Sequence, residues 1–507
     1  MATLAAAALA TPLMLASASP SSAHHPDAGQ QAAKLAKKLV AKASVKDAHK
    51  HLKKFQQIAD TTGGNRAAGT LGYDASAAYV YQQLKKYGLD VRYEPFTFLY
   101  TETQAQKLSV VTPTPKDIAI TALTYTRSTP VGGIKADLAT VPADATTGCE
   151  ATDYASGTFT GKIALIKRGG CTFAIKQAAA ADAGAVGAII YNNIAGSMGG
   201  TLGDSTVGRI PTGGITQAEG DQLVAAVANG PVNVSFEIRQ LQQNRVTHNV
   251  IAETRTGNAA NTVVLGSHLD SVFEGPGIND NGSGSAGLLE VAQELAKAEK
   301  RPTNKVRFAW WSAEEVGLLG SKAYVASLSP LEKQEIKLYL NFDMIASPNY
   351  GLFVYDGDNS DGVGAGPGPE GSAQLERDIN TFLDGRNTPH EGTDFSGRSD
   401  YGPFIEVGIP SGGTFTGAEG IKSAEQAAKF GGTAGVAYDP NYHAKGDDIK
   451  NVNLTAFGVN IGVIANAVGT YAHDISSLRK PVTTVPTQPG TGSGGGLHEG
   501  HGDEVTE

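Results

Sequence analysis

The chain has 507 residues, too many for one ordinary core, so two or three folded units with tails are expected. Apolar residues make up 40% and charged residues 18%, enough to bury a core, and 63 glycines predict many tight turns. A formal net charge of -9 and a pI near 5.7 leave no basic surface for nucleic acid and no general pull toward anionic lipid, so neither is expected as a partner.

Residues 1–23, "MATLAAAALATPLMLASASPSSA", are small and apolar and end in Ala-x-Ala-like sites, which reads as a secretory signal. It departs from the usual pattern in having no Lys or Arg before Lys34. No later segment offers roughly 18 uninterrupted apolar residues to span a bilayer, so an exported, extracellular protein is expected. Residues 32–61 are Lys/Ala/Gln-rich with helical spacing, 72–88 read as a second amphipathic helix ending at Gly88, and "LDVRYEPFTF" then alternates like a strand.

From 131 to 243 the texture changes to strand, turn, Ala-rich helix, Gly-punctuated turn and strand, as in an inserted module. Cys149 and Cys171 lie here, in neither a CxxC nor a Cys/His cluster; their spacing suits one local disulfide in a secreted protein, and two buried thiols in a cytosolic one. The disulfide is the favoured reading. Beyond it, three apolar runs recur, "TVVLGSHLD" (262–270), "KVRFAWWSAEE" (305–315) and "KLYLNFDM" (337–344), with helical stretches at 285–298 and 317–328 between them. That alternation predicts βαβ units and a mainly parallel sheet, whose ligands bind beyond the carboxyl ends of the strands. From about 478 the chain is Pro/Thr/Gly-rich and reads as a disordered tail, in which His498 and His501 are solvated rather than metal-binding.

The strand ends carry His268, Asp270, Asp280, Glu314, Glu315 and Asp343, and His443 follows in "NYHAKGDD". Singly, each has a bland explanation. Glu314 and Glu315 would sit at a solvated helix N-terminus, Asp280 in a turn, and His268 in a satisfied core. Together, two imidazoles and three carboxylates suit zinc, and one bridging carboxylate would let them hold two ions. One glutamate of the adjacent pair would then be a ligand and its neighbour a general base.

"GSHLDSVFEGPGINDNGSGSAGLLEVAQEL", "FAWWSAEEVGLLGS", "LNFDMIASPN" and "YHAKGDD" closely resemble the di-zinc metallopeptidases that include secreted bacterial and fungal aminopeptidases. "GNRAAGTLGYDASAAYVYQQLKKYGLDV" is similar to that family's N-terminal helical segment, and "GKIALIKRGGCTFAIKQAAAADAGAVGAIIYNN" to a protease-associated domain, with Cys171 in the expected place. The resemblance implies an α/β fold with a mixed, mainly parallel sheet flanked by helices and a protease-associated β/α insert. The units would be a signal at 1–23, peptidase residues 24–130, the insert 131–243, peptidase residues 244–475 and the tail 476–507. It further implies two zinc ions, with His268 and Asp343 on one, Glu315 and His443 on the other, and Asp280 between them. Glu314 would be the general base, Asp270 the partner that fixes the His268 ring, and Tyr442 the donor to the oxyanion.

In the same pattern Arg398 helps position the substrate's amino end, while Met344, Tyr355 and Phe415 line an apolar pocket for the first side chain. Two features depart from the family. Asn441 and Gly446 stand where relatives often bracket the Tyr-His pair with a disulfide, and "NVNLTAFGVN" lacks the acidic residues of a structural calcium site. The implied activity is removal of a leucine-like or aromatic N-terminal residue from peptides by a secreted monomer. The competing readings are a glutamate-carboxypeptidase-type exopeptidase, a glutaminyl cyclase, and a non-catalytic binding protein on the same fold. The carboxypeptidase needs a basic cluster for a substrate carboxylate, and a binding protein would lack several ligands.

Overall fold

The Lys/Ala/Gln-rich stretch folds as two helices, α1 (Ala28–Lys42) and α2 (Val45–Thr61), because Ser44 interrupts it and caps the second by accepting the Asp47 N–H at 3.3 Å. The computed structural model describes residues 27–196 and 198–482, so the leader 1–23, His498 and His501 lie outside the described residues. Leu35, Leu39, Leu52 and Phe55 turn one face of this helix pair into the core. The third helix, α3 (Leu71–Lys86), is capped by Thr70 and stops before Gly88, whose φ of 85° suits glycine.

A 23-residue strand, β1 (Asp90–Thr112), leaves the helices and leads through β2 (Lys116–Ile118) and β3 (Thr121–Ala122) into a β/α segment. That segment comprises β4 (Ile134–Thr140), β5 (Ile163–Lys167), α4 (Phe173–Asp182), β6 (Gly187–Tyr191), β7 (Thr212–Ile215) and α5 (Gln217–Ala228). Strands β4 to β7 pair in parallel and β3 closes the edge antiparallel to β7. Alternation splits their side chains between two cores: Ile163, Leu165 and Ile189 join Phe236 on one face, and Ala164, Ile166 and Ile190 join Phe173 on the other. Cys149 and Cys171 are disulfide-bonded, with their Cα atoms 5.9 Å apart. The chain returns along β8 (Asn233–Glu253), which pairs antiparallel with β1 from Thr112↔Asn233 to Asp90↔Glu253.

Next come β9 (Asn258–His268), α6 (Gly282–Ala298), β10 (Asn304–Trp311), α7 (Leu319–Ser327), α8 (Pro330–Glu335) and β11 (Ile336–Phe342). They are followed by β12 (Phe353–Tyr355), α9 (Ser372–Asp384), β13 (Glu391–Thr393), α10 (Gly402–Glu406), β14 (Ser411–Phe415), α11 (Ala424–Phe430) and α12 (Leu454–Tyr471). The strands lie in the order β13-β12-β14-β11-β9-β10-β8, and the sheet continues through β8 into β4-β5-β6-β7-β3. The pairs β14–β11, β11–β9 and β9–β10 are parallel, whereas β8 and β12 run antiparallel to their inner neighbours. This is the expected mixed, mainly parallel sheet. Phe308 and Trp310 enter the core beneath α6 and α12, and Ala309 and Trp311 enter a second core with Tyr324 and Phe404, so both faces are covered.

Several elements differ from the sequence reading. The first helix between the strands begins earlier, at Gly282, where Asn281 accepts the Gly284 N–H at 2.9 Å; the second begins only at Leu319. The last helix, α12, has a mean hydropathy of 1.3 over 18 residues, enough by length and composition to cross a membrane, although Thr455, Asn460, Asn466 and Thr470 interrupt its apolar run, as expected. It is 61% buried against α1, α6 and α9. Gly469 lets the α1 backbone come so near that a Cβ there would lie 2.3 Å from the Ala36 Cα. The start of the expected tail is ordered: Ser476–Arg479 form a 3-10 turn against α9, where Arg377 donates to the Ser477 carbonyl at 3.2 Å.

Candidate active site

The carboxyl ends of β9, β10 and β11 lie side by side, so the polar residues that follow each strand converge. His268, the last residue of β9, is fully buried. Its Nε2 lies 3.2 Å from Asp343 Oδ1 and 3.3 Å from Asp280 Oδ1. His443 approaches from the opposite side, with its Nε2 3.2 Å from Asp280 Oδ2 and 3.0 Å from Glu315 Oε2. Asp280 thus presents one oxygen to each histidine. The structure brings all five expected ligands into one group.

These spacings match donors sharing a cation, since ligands about 2.1 Å from a tetrahedral zinc stand roughly 3.4 Å apart. Burying Asp280, Glu314, Glu315 and Asp343 together otherwise sets like charges against one another in a medium that screens them poorly. The two carboxyl oxygens of Glu314 are buried without a hydrogen-bond partner. Burial, with Asp400, Asp343 and Glu315 nearby, pushes the Glu314 carboxyl well above its usual range despite His268, and burial with Asp280 pushes Glu315 up to about 7. The donor set and its unrelieved charge fit zinc.

The adjacent glutamates are held by backbone contacts. Asp270 Oδ1 accepts the Glu314 N–H at 3.3 Å and Oδ2 the Glu315 N–H at 3.4 Å. Toward His268 Nδ1, the Asp270 carbonyl oxygen at 3.2 Å is nearer than its carboxylate at 3.7 Å, so Asp270 meets the ring mainly through its backbone. Ala313, Met344 and His443 have φ values of 56°, 46° and 52°. Each is, or directly neighbours, a residue of the group, the usual place for conformations that cost energy.

The Tyr442 ring stacks on His443 with centroids 3.8 Å apart, and burial, then Asp280 and Glu315, hold its hydroxyl well above the usual phenol range. Arg398 donates to Glu419 Oε1 at 2.9 Å and interacts with the Tyr442 hydroxyl. A cleft beside Asp343 is lined by Tyr355, Asp394, Arg398, Tyr401 and Phe415 among others. Met344 is fully buried and is not part of its wall. Around the Tyr442–His443 pair, Asn441 donates to Asn451 Oδ1 at 2.7 Å and Asn451 donates to both oxygens of Asp439 at 2.9 Å.

Four supporting residues were not singled out in the sequence. Ser399 donates to Asp343 Oδ2 at 2.7 Å, at the end of a buried chain in which Trp311 donates to Tyr339, Tyr339 to Asn341, and Asn341 to Ser399. Asp447 accepts the N–H groups of Asn279 at 2.7 Å and Asp280 at 2.9 Å. Arg66, fully buried, donates to the carbonyls of Leu269, Pro276 and Gly277 and so ties both ends of the His268–Asp280 loop together. Asp400 is fully buried near His268, Asp343 and the Ser321 hydroxyl, and burial pushes its carboxyl up to about 7. Asp447 and Arg66 lie inside motifs already marked, "YHAKGDD" and "GNRAAG", and Ser399 and Asp400 lie in "SGRSDYGPF".

Residues 249–468 match peptidase family M28, and residues 134–223 match the PA domain. The chain is 48% identical over 429 residues to leucine aminopeptidase 2 of Arthroderma otae, covering 84% of this chain and 82% of that protein. Among solved structures it is similar to an aminopeptidase from Aneurinibacillus sp. strain AM-1, at 28% identity and TM-score 0.66, covering 85% of this chain and 95% of that one. It is also similar to BSAP, a zinc aminopeptidase from Bacillus subtilis, at 27% identity and TM-score 0.62, covering 84% and 95%.

Proposed function

Because the chain belongs to peptidase family M28, we propose that it is a zinc-dependent aminopeptidase that removes leucine or another apolar residue from the amino end of peptides. The observation that carries this reading is the group of two histidines and three carboxylates with Glu314 beside it. Two zinc ions are proposed because Asp280 faces both histidines: His268 and Asp343 would hold one, and Glu315 and His443 the other. Bound there, zinc polarises the scissile carbonyl and makes water a stronger nucleophile.

The remaining steps belong to side chains. A Glu314 carboxyl oxygen takes the proton of the attacking water and delivers it to the departing amine. The Tyr442 hydroxyl donates to the oxygen that becomes negative at the tetrahedral stage. Tyr355 and Phe415 receive the first side chain, while Asp343 and Asp394 in the same cleft offer acceptors to an ammonium group. Arg398 serves the amino end indirectly, by orienting Glu419 and Tyr442. Arg398 is the single cation lining the cleft among the described residues and already pairs with Glu419, so a substrate carboxylate finds little there and a carboxypeptidase reading is disfavoured.

Export of a monomer acting outside the cell belongs to the same reading, supported by the Cys149–Cys171 disulfide and the composition of residues 1–23. The insert is proposed to span 131–243, between peptidase residues 24–130 and 244–475, followed by the tail 476–507. The test is hydrolysis of leucine p-nitroanilide beside its N-acetyl form, with and without a zinc chelator, on wild type and Glu314→Ala. Cleavage of the free-amine substrate alone, lost on chelation and in the variant, is the expected result. Cleavage of the acetylated form would overturn the reading.

A further inference from the structure

We propose that the β1/β8 ribbon and the loop between Asp270 and Asp280 form a subsite for the substrate residue that follows the scissile bond, and that it favours an apolar side chain. The inference rests on the aminopeptidase reading and deepens it. The strand order carries the argument. The cleft proposed for the first side chain lies on the β12–β14 flank, the expected ligands follow β11, β9 and β10, and β8 comes next on the opposite side of Glu314.

Because β8 runs antiparallel to β10 and their pairing ends at Trp310↔Val250, the β8 residues before Val250 extend beyond the strand end that carries Glu314. They remain paired with β1 there, through Phe96↔Thr247, Phe98↔Arg245 and Tyr100↔Gln243. The ribbon therefore stands as a wall along this flank. Phe96, Phe98 and Tyr100 share one face of β1 by alternation. Phe98 and Tyr100 pack with Ala313, the residue before Glu314, and the Phe273 ring lies 5.6 Å from Tyr100.

Phe98 and Tyr100 are buried, but Phe96, Leu241, Phe273 and Leu319 around them are only partly covered, which leaves an apolar strip. The strip is continuous with the site. Phe273 belongs to the loop joining Asp270 to Asp280, and Gly275 in that loop abuts the residue after His443, where a Cβ would lie 2.2 Å from the Ala444 carbonyl oxygen. A peptide whose first side chain occupies the β12–β14 flank continues across Glu314 toward this wall. β8 is the direct neighbour of β10, so the wall stands about 4.8 Å, one strand spacing, from the strand end that carries Glu314, and the residue following the scissile bond lies on that side.

The test compares kcat/KM for Leu-Phe-amide and Leu-Gly-amide, with leucinamide as a substrate that has nothing beyond the cleaved bond. Wild type is expected to prefer Leu-Phe-amide by about tenfold. Phe273→Ala, and separately Leu241→Ser on the ribbon, are expected to bring the ratio close to one, while leucinamide cleavage reports the state of the metal site. A wild-type ratio near one, or a ratio undiminished in both variants, would overturn the subsite and leave the aminopeptidase reading standing. Failure of wild type to cleave leucinamide and both dipeptide amides would overturn the two together.

Discussion

The Asp447 carboxylate accepts the backbone N–H of Asp280 at 2.9 Å, so the loop that carries His443 also sets the position of the residue facing both histidines. A second oxygen accepts the Asn279 N–H at 2.7 Å. Asp447→Ala frees both N–H groups and is expected to weaken zinc binding about 10–100-fold, the usual cost of losing a group that orients a ligand. Titration against a competing chelator measures it, and wild-type affinity in the variant would refute the role.

Glu314→Gln keeps the shape of the side chain and removes its basicity. Activity on leucine p-nitroanilide should fall about 10²–10⁴-fold. Zinc content per chain should stay at the wild-type value, because the histidines meet Asp280, Asp343 and Glu315 at 3.0 to 3.3 Å and Glu314 lies farther off, 4.0 Å from His268 Nε2. Loss of metal along with activity would make Glu314 a ligand instead.

Tyr442→Phe removes one hydroxyl and leaves the ring stacked on His443. For a donor aimed at developing negative charge, kcat should drop about 10²–10³-fold with KM little changed. A rise in KM alone would place Tyr442 in substrate binding.

Zinc uptake by the metal-free protein should release protons. Burial, then Asp280, raises the Glu315 carboxyl to about 7, and although burial pulls His443 and His268 down, the carboxylates around them hold both well above the usual imidazole value. These groups bind metal only when deprotonated, so zinc affinity should rise with pH through 7. Calorimetry in two buffers of different ionisation enthalpy reads the protons released. Zinc at about 1,000 times its dissociation constant should also stabilise the fold by about 4 kcal/mol, visible as a higher Tm.

His51 supplies a pH dependence away from the site. It is buried between α2 and α6, where its Nδ1 lies 2.6 Å from the Tyr79 hydroxyl and its Nε2 3.3 Å from the Gln293 amide. Burial lowers it from the usual 6.5 to about 4. A depressed value means that the folded state prefers neutral imidazole, so its stabilisation is complete above pH 6.5 and is lost as pH falls to about 4. The loss amounts to about 3 kcal/mol. Urea denaturation at pH 7, 5 and 4 should show it in wild type, and His51→Gln should have a flatter profile over that window.

The core strands and most candidate ligands were legible because three apolar runs, separated by helical stretches, each end in His, Asp or Glu, and βαβ repetition puts such ends on one edge. His268, Glu314, Glu315 and Asp343 follow from that pattern, whereas Asp280 lies in the loop between β9 and α6. β12 and β13, three residues each, are too short to carry a period, and α9 and α12 were not read as elements, so the flank holding Tyr355 and Phe415 became visible only in the fold. The sequence by itself also determined the chemistry of the site, through residue types that only a cation or a proton relay would bring together. Tertiary structure decided who supports them. Arg66 bonds carbonyls more than 200 residues away, and Asp447 bonds N–H groups more than 160 residues away. Backbone atoms are the same in every residue, so no spacing along the chain records which of them a distant side chain will meet.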